Sequence, residues 1–228
     1  HTDYITDLEF IDDPVCTITI SKDKYMRIWN EQFELIGEIN IIPDDSLTIN
    51  KHLKEDKKFL LCGAKIVGLV HSLNKISSDF NHYIANDQIK FIQLDLNASP
   101  KITEKFKEAM LYLKGKLDIL ICCHGKFFGG NVNDTAAEDF DLSISINVRS
   151  NFHLLSLSVP FLKVTKGNAV MISSVDTKIV EQGDFLHAMN KSMINSLVQN
   201  SALELASFGV RVNAVAPSFV NSNYRGNM

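Results

Sequence analysis

The chain has 228 residues, 45% of them hydrophobic and 22% charged, with a formal net charge of −4. That apolar share supports a buried core and argues against wholesale disorder; mild acidity without a Lys/Arg block argues against nucleic acid as the main ligand. No apolar run approaches the roughly 20 residues of a membrane span, and no basic and apolar leader pattern follows His1. The four cysteines, Cys16, Cys62, Cys122 and Cys123, form no CxxC pair. They read as free thiols of a reducing, cytoplasmic compartment. Three successive side chains on a strand alternate faces, so Cys122-Cys123-His124 is not expected to hold a metal.

Residues 1–36 are β-like. Thr2–Phe10, Cys16–Ser21, Tyr25–Trp29 and Phe33–Ile36 are short β-prone runs, punctuated by Asp12-Asp13-Pro14, Lys22-Asp23-Lys24 and Asn30-Glu31-Gln32. The order His1, Ser21, Asp23, Trp29 resembles one blade of a WD-repeat propeller, which implies a buried hydrogen-bonded chain through those four residues. No second copy follows at the repeat period, and one blade cannot cover both of its faces. An ordinary antiparallel meander is the alternative.

From residue 37 strands and helices alternate. Strands are expected at Ile39–Ile42, Lys65–Val70, Ile89–Leu94, Asp118–Cys122, Ala169–Ile172 and Val210–Ala216. Helices are expected at Leu47–Leu61, Leu73–Ile84, Ser99–Leu113, Ala136–Leu162 and Phe185–Phe208. Ser99 suits an N-cap with Pro100 at the first helical position, and Gly167 and Gly209 stand where two helices should stop. The fold class is therefore α/β: a Rossmann-like doubly wound parallel sheet, incomplete, with a small N-terminal antiparallel appendage. The domains are 1–36 and 37–228. Ligands of such sheets bind beyond the carboxyl ends of the strands.

The chemistry-bearing residues fall at those ends. Ser173-Ser174 follows the strand AVMI; His187 and Lys191, four apart, share one face of the next helix; Asn147 lies in the preceding long helix. With GAKIVGLV (63–70), FIQLDL (91–96), LDILICCHG (117–125), INVRSNF (146–152), HAMNK (187–191) and ALELASFGVRVNAVAPS (202–218), residues 50–228 resemble the short-chain dehydrogenase/reductase family. The resemblance implies hydride transfer between NAD(P) and the alcohol or carbonyl of a small molecule. Carried over, Ser174 holds the substrate oxygen, Lys191 contacts the ribose and Asn147 positions a relay water. The acid position, a tyrosine in the family, is taken by His187. Cofactor contacts fall to His71, Asp95, Gly125, Lys191 and Pro217. A family member with an acidic residue at the position of His71 would favour NAD, so the expected cofactor is NADP.

Two departures predict impaired turnover. An imidazole starts near 6.5, and a neighbouring ammonium makes it a neutral, weak acid; it is also shorter than a phenol. Where the family carries its glycine loop, residues 43–50 read Pro-Asp-Asp-Ser-Leu-Thr-Ile-Asn, with no glycine to admit a pyrophosphate. Either Ile39–Ile42 fills the slot of the family's first strand or the sheet has a gap there. Residue 228 also precedes the family's substrate helix and last strand. A non-catalytic interaction module and a partial fusion product are the alternatives, and assembly as a homo-oligomer or with a protein partner is left open.

Overall fold

The computed structural model describes the backbone of residues 5–12, 15–21, 25–29 and 35–40, and residues 64–179 and 182–217 in full apart from the Asp79 side chain. The expected helix Leu47–Leu61, the glycine-free stretch 43–50, His1 and Asp23 lie outside the described residues.

The N-terminal part is a four-stranded antiparallel meander, β1 (Ile5–Asp12), β2 (Val15–Ser21), β3 (Tyr25–Trp29) and β4 (Leu35–Asn40), paired in chain order. Here Ile39 corrects an expectation. It pairs with Met26 in the antiparallel β3–β4 ladder, and Tyr25 faces Asn40, so β4 continues the meander past residue 36 and supplies no parallel strand. A short antiparallel connection needs no crossover, whereas a parallel one does.

The remainder alternates as expected. Strands β5 (Ile66–Val70) and β6 (Ile89–Gln93) pair in parallel; β7 (Ile119–Cys122), β8 (Asn168–Ile172) and β9 (Arg211–Val215) form a second parallel sheet in that order. Among the described residues no strand joins the two sheets. They share one core nonetheless: Leu94 and Leu96 beyond β6 pack in the same cluster as Leu117, Cys122, Ala169, Met171 and Val212. One face of β7 is left half-open, with Ile119 and Ile121 exposed by 46% and 44%.

Helix α1 is only Asn81–Ala85, preceded by two 3-10 turns, where a single helix from Leu73 was expected. Helix α2 (Ser99–Tyr112) begins one residue before its proline, with Ala98 rather than Ser99 at the N-cap. It drives Ile102 and Phe106 into the core. The long helix expected at Ala136–Leu162 is three pieces: α3 (Ala137–Ile144), a π-helical segment Ser145–Arg149, and α4 (Ser150–Thr165). Side chains explain the break. Ser150 Oγ donates to the Ile146 carbonyl at 2.5 Å and Asn151 Nδ2 to the Asn147 carbonyl at 2.7 Å, satisfying acceptors that the wider turn releases. The π segment turns Asn147 inward, 4% exposed, toward the loop after β7.

Helix α5 (Phe185–Leu205) runs into a 3-10 turn that ends at Gly209, left-handed at φ +73°, as the sequence predicts. After α4 the left-handed residue is instead Lys166, at φ 52°. Gly167 serves a different need: a Cβ there would stand 2.5 Å from the Asp118 carbonyl oxygen and 2.7 Å from Leu162 Cδ2. Since backbone cannot yield as a side chain tip does, Gly167→Ala is expected to lower stability by about 2–3 kcal/mol, read as a drop in urea midpoint at unchanged slope.

Candidate active site at the carboxyl edge of the β7–β9 sheet

The site begins where β8 stops. Ser173 N–H donates to the Val215 carbonyl at 2.6 Å, and Val175 N–H to the Pro217 carbonyl at 3.2 Å, tying this strand exit to that of β9. Ser174 leaves the strand extended, and its Oγ accepts the Asp176 N–H at 3.2 Å, capping a short 3-10 turn over Val175–Thr177. That leaves the hydroxyl hydrogen available to donate elsewhere.

The first turns of α5 close over this exit. His187 and Lys191, one turn apart, are each only 7% exposed. Lys191 Nζ donates to the Ile172 carbonyl at 2.7 Å. Burial draws the Lys191 ammonium down to about 8, with the charges of Cys123 and Asp176 working the other way. His187 Nε2 stands 3.2 Å from Asp176 Oδ2, both side chains being 8% exposed. The Phe127 ring centroid lies 5.6 Å from the imidazole.

Asn147 is fully engaged. Its Oδ1 accepts the Lys126 N–H at 2.7 Å and its Nδ2 donates to the Lys126 carbonyl at 2.9 Å, so the amide braces the loop after Gly125. Its own carbonyl is taken by Asn151 Nδ2. Asn147→Ala removes two buried hydrogen bonds and is expected to cost about 2 kcal/mol, or roughly 4–8 °C in melting temperature. Asn147→Asp fares no better, because one carboxylate oxygen then faces the Lys126 carbonyl without a donor between them.

The expected site residues thus divide. Ser174, His187 and Lys191 surround the exit of β8. Asn147 and Gly125 shape the neighbouring exit of β7, and Pro217 that of β9. His71 and Asp95 stand exposed at the carboxyl ends of β5 and β6: the His71 carbonyl accepts from Gln93 Nε2, and Asp95 Oδ1 from the Asn97 N–H.

Three residues escaped the sequence reading. Asp176 is 8% exposed and pairs with His187; the signal was a carboxylate two residues past a strand-end serine. His124, 6% exposed, contacts Ser150 Oγ at 2.6 Å and Asn151 Nδ2 at 3.0 Å. Burial, with Lys191 nearby, takes this imidazole down to about 3. Asn151 itself follows the π segment, and its Oδ1 is buried with no hydrogen-bond partner.

The donor set suits the ribose end of a nicotinamide nucleotide. Lys191 has three N–H donors, one of which goes to Ile172, and the Ser174 hydroxyl keeps its hydrogen. No helix among the described residues is long and apolar enough to cross a membrane.

Comparison with known proteins agrees. The family model described as enoyl-(acyl carrier protein) reductase matches residues 57–227. A tropinone reductase homolog of Arabidopsis thaliana is 31% identical over 158 residues, 67% of this chain and 59% of its own length. The trans-4-hydroxycyclohexanecarboxylate dehydrogenase of Sinomonas cyclohexanicum is 29% identical over 65% of this chain and 57% of its own. The chain therefore spans less than two thirds of these relatives. Among solved structures, an apo SCOR enzyme from Clostridium thermocellum matches with TM-score 0.65 at 23% identity, covering 73% of this chain and 66% of that one. A metagenomic short-chain oxidoreductase in complex with NADP matches with TM-score 0.63 at 25% identity, covering 68% and 72%. With a family match over most of its length on a Rossmann-like fold, the chain belongs to the short-chain dehydrogenase/reductase family.

Proposed function

We propose that the chain is an NADP-dependent oxidoreductase acting on the alcohol or carbonyl of a small molecule. The observation that carries this reading is the convergence of the Ser174 hydroxyl, the His187 imidazole and the buried Lys191 ammonium at one strand exit. The nicotinamide, when bound, supplies or accepts the hydride. Lys191 holds the ribose hydroxyls through its remaining N–H groups, and Ser174 donates its O–H to the substrate oxygen. His187 occupies the acid position. Gly125 follows β7 where, by resemblance, the family brings the cofactor close to the backbone. NADP is favoured over NAD by the absence of an acidic side chain at position 71, and a related oxidoreductase is bound to NADP. Incubation with NADPH and a panel of aldehydes and ketones tests the reading: carbonyl-dependent loss of NADPH absorbance supports it, and its absence across the panel contradicts it.

A second reading, a non-catalytic interaction module, is favoured by residues 43–50, which carry two aspartates and no glycine where the family binds pyrophosphate. It predicts a cooperative melt that NADPH does not shift. The β1–β4 meander, four strands paired in antiparallel order, is compatible with the WD-like blade.

A further inference from the structure

The family's acid is a phenol, and here a histidine stands in its place beside a buried ammonium. An unsupported imidazole at that point makes a poor acid, since Lys191 disfavours a second positive charge. The structure supplies a counter-charge. Asp176 is carried on the 3-10 turn after β8, with its backbone N–H fixed by Ser174 Oγ at 3.2 Å and its Oδ2 3.2 Å from His187 Nε2. Resting on the oxidoreductase reading above, we propose that Asp176 and His187 form the acid–base pair of this site. Asp176 is the positioning residue, and His187 is the group that exchanges a proton with the substrate oxygen.

The geometry assigns the protons. Nε2 stands 3.2 Å from a carboxylate oxygen, so a hydrogen on Nε2 is the one that Asp176 favours. The proton that moves is therefore the one on Nδ1. In the reducing direction a bound nicotinamide nucleotide would supply a hydride to the carbonyl carbon, the C=O π pair would move to oxygen, and that oxygen would take the Nδ1 proton. The two electrons that reduce the carbonyl to an alcohol would come from the nucleotide. The imidazole is left neutral with its hydrogen on Nε2, and it regains the Nδ1 proton from water. Asp176 itself exchanges no proton with the substrate.

Lys191 lies one turn along α5, Asp184 immediately precedes that helix, and Cys123 and His124 end β7 beside Lys191. Glu138, Asp139 and Asp141 of α3 are exposed, Arg149 is exposed and bonded to the Asn97 carbonyl, and Arg211 starts β9 at the opposite edge of the sheet. Asp176 is a carboxylate in contact with the ring.

Asp176→Asn tests the proposal, because it keeps shape and removes charge. In protein labelled with nitrogen-15 histidine, the His187 resonances, identified by their loss in His187→Gln, are followed against pH without cofactor. The expected result is a hydrogen held on Nε2 in the unsubstituted protein and a titration midpoint about one pH unit lower in Asp176→Asn. In turnover with NADPH, Asp176→Asn is expected to lower kcat about 100-fold with little change in KM, and to move the pH profile of kcat in step with the midpoint. Asp176→Glu, which retains the charge, recovers part of kcat; it also carries the comparison if Asp176→Asn fails to melt cooperatively. Turnover by the unsubstituted protein, with an unchanged His187 titration and kcat profile in Asp176→Asn, overturns the pair alone. No turnover of any carbonyl by the unsubstituted protein overturns the oxidoreductase reading, and the pair's role with it.

Discussion

Lys191→Met is expected to abolish NADPH-dependent turnover while leaving the fold as stable as before or more so. The buried ammonium is drawn down to about 8 from an ordinary 10.5, which corresponds to a penalty of about 3 kcal/mol at neutral pH. The substitution relieves that penalty and loses the hydrogen bond to the Ile172 carbonyl, worth about 1 kcal/mol. A net gain of about 1–2 kcal/mol follows, or roughly 2–8 °C in melting temperature. The sign with pH provides a second check. A lysine depressed in the folded state weakens folding fully below about pH 8, and the penalty fades as pH rises toward 10.5. The unsubstituted protein should gain stability across that window relative to Lys191→Met. A side chain kept at such a disadvantage, when methionine fits the same space, points to binding or chemistry as its use. A Lys191→Met protein that melts well below the parent would show the lysine to be structural.

The second large effect comes from His124. Its imidazole is buried, neutral and held down to about 3, against 6.5 in the unfolded chain. Below pH 6.5 the unfolded state takes up a proton that the folded state refuses. Stability from this residue is thus complete above 6.5 and is lost progressively toward 3. The loss reaches about 2 kcal/mol by about pH 5. His124→Gln keeps a hydrogen-bonding head toward Ser150 and Asn151 but does not titrate. Urea midpoints measured at neutral pH and near pH 5 should fall further in the parent than in His124→Gln; equal falls in both would place the acid sensitivity elsewhere.

The order of elements was legible because the strands are β-branched runs such as KIVGLV and AVMI, and Gly167 and Gly209 stand just past the ends of two of the helices between them. Residue chemistry of that kind reports local structure well. The site was legible where spacing decides: His187 and Lys191, four apart, meet on any α-helix, and Ser174 at a strand exit needs no tertiary knowledge. Its remaining parts depend on contacts between distant segments. Nothing in the run Ser143–Asn151 distinguishes five π-helical residues from a continued α-helix until Ser150 and Asn151 are seen to bond backward to residues 146 and 147. Asn147 was assigned a relay water, and its amide proves to be committed to Lys126. Lys166 took the left-handed turn expected of Gly167, because the glycine was needed for its missing Cβ against Asp118. Asp176 was passed over because its partner lies eleven residues on, across a loop whose course sequence does not reveal.

The proposed function requires that this carboxyl edge receive a nicotinamide nucleotide. Calorimetric titration of the whole chain with NADPH tests it most directly. Saturable heat is expected, lost in Lys191→Met and weaker for NADH. A cooperatively folded chain that evolves no heat, even at NADPH concentrations on the order of the millimolar upper end of dissociation constants, would contradict it.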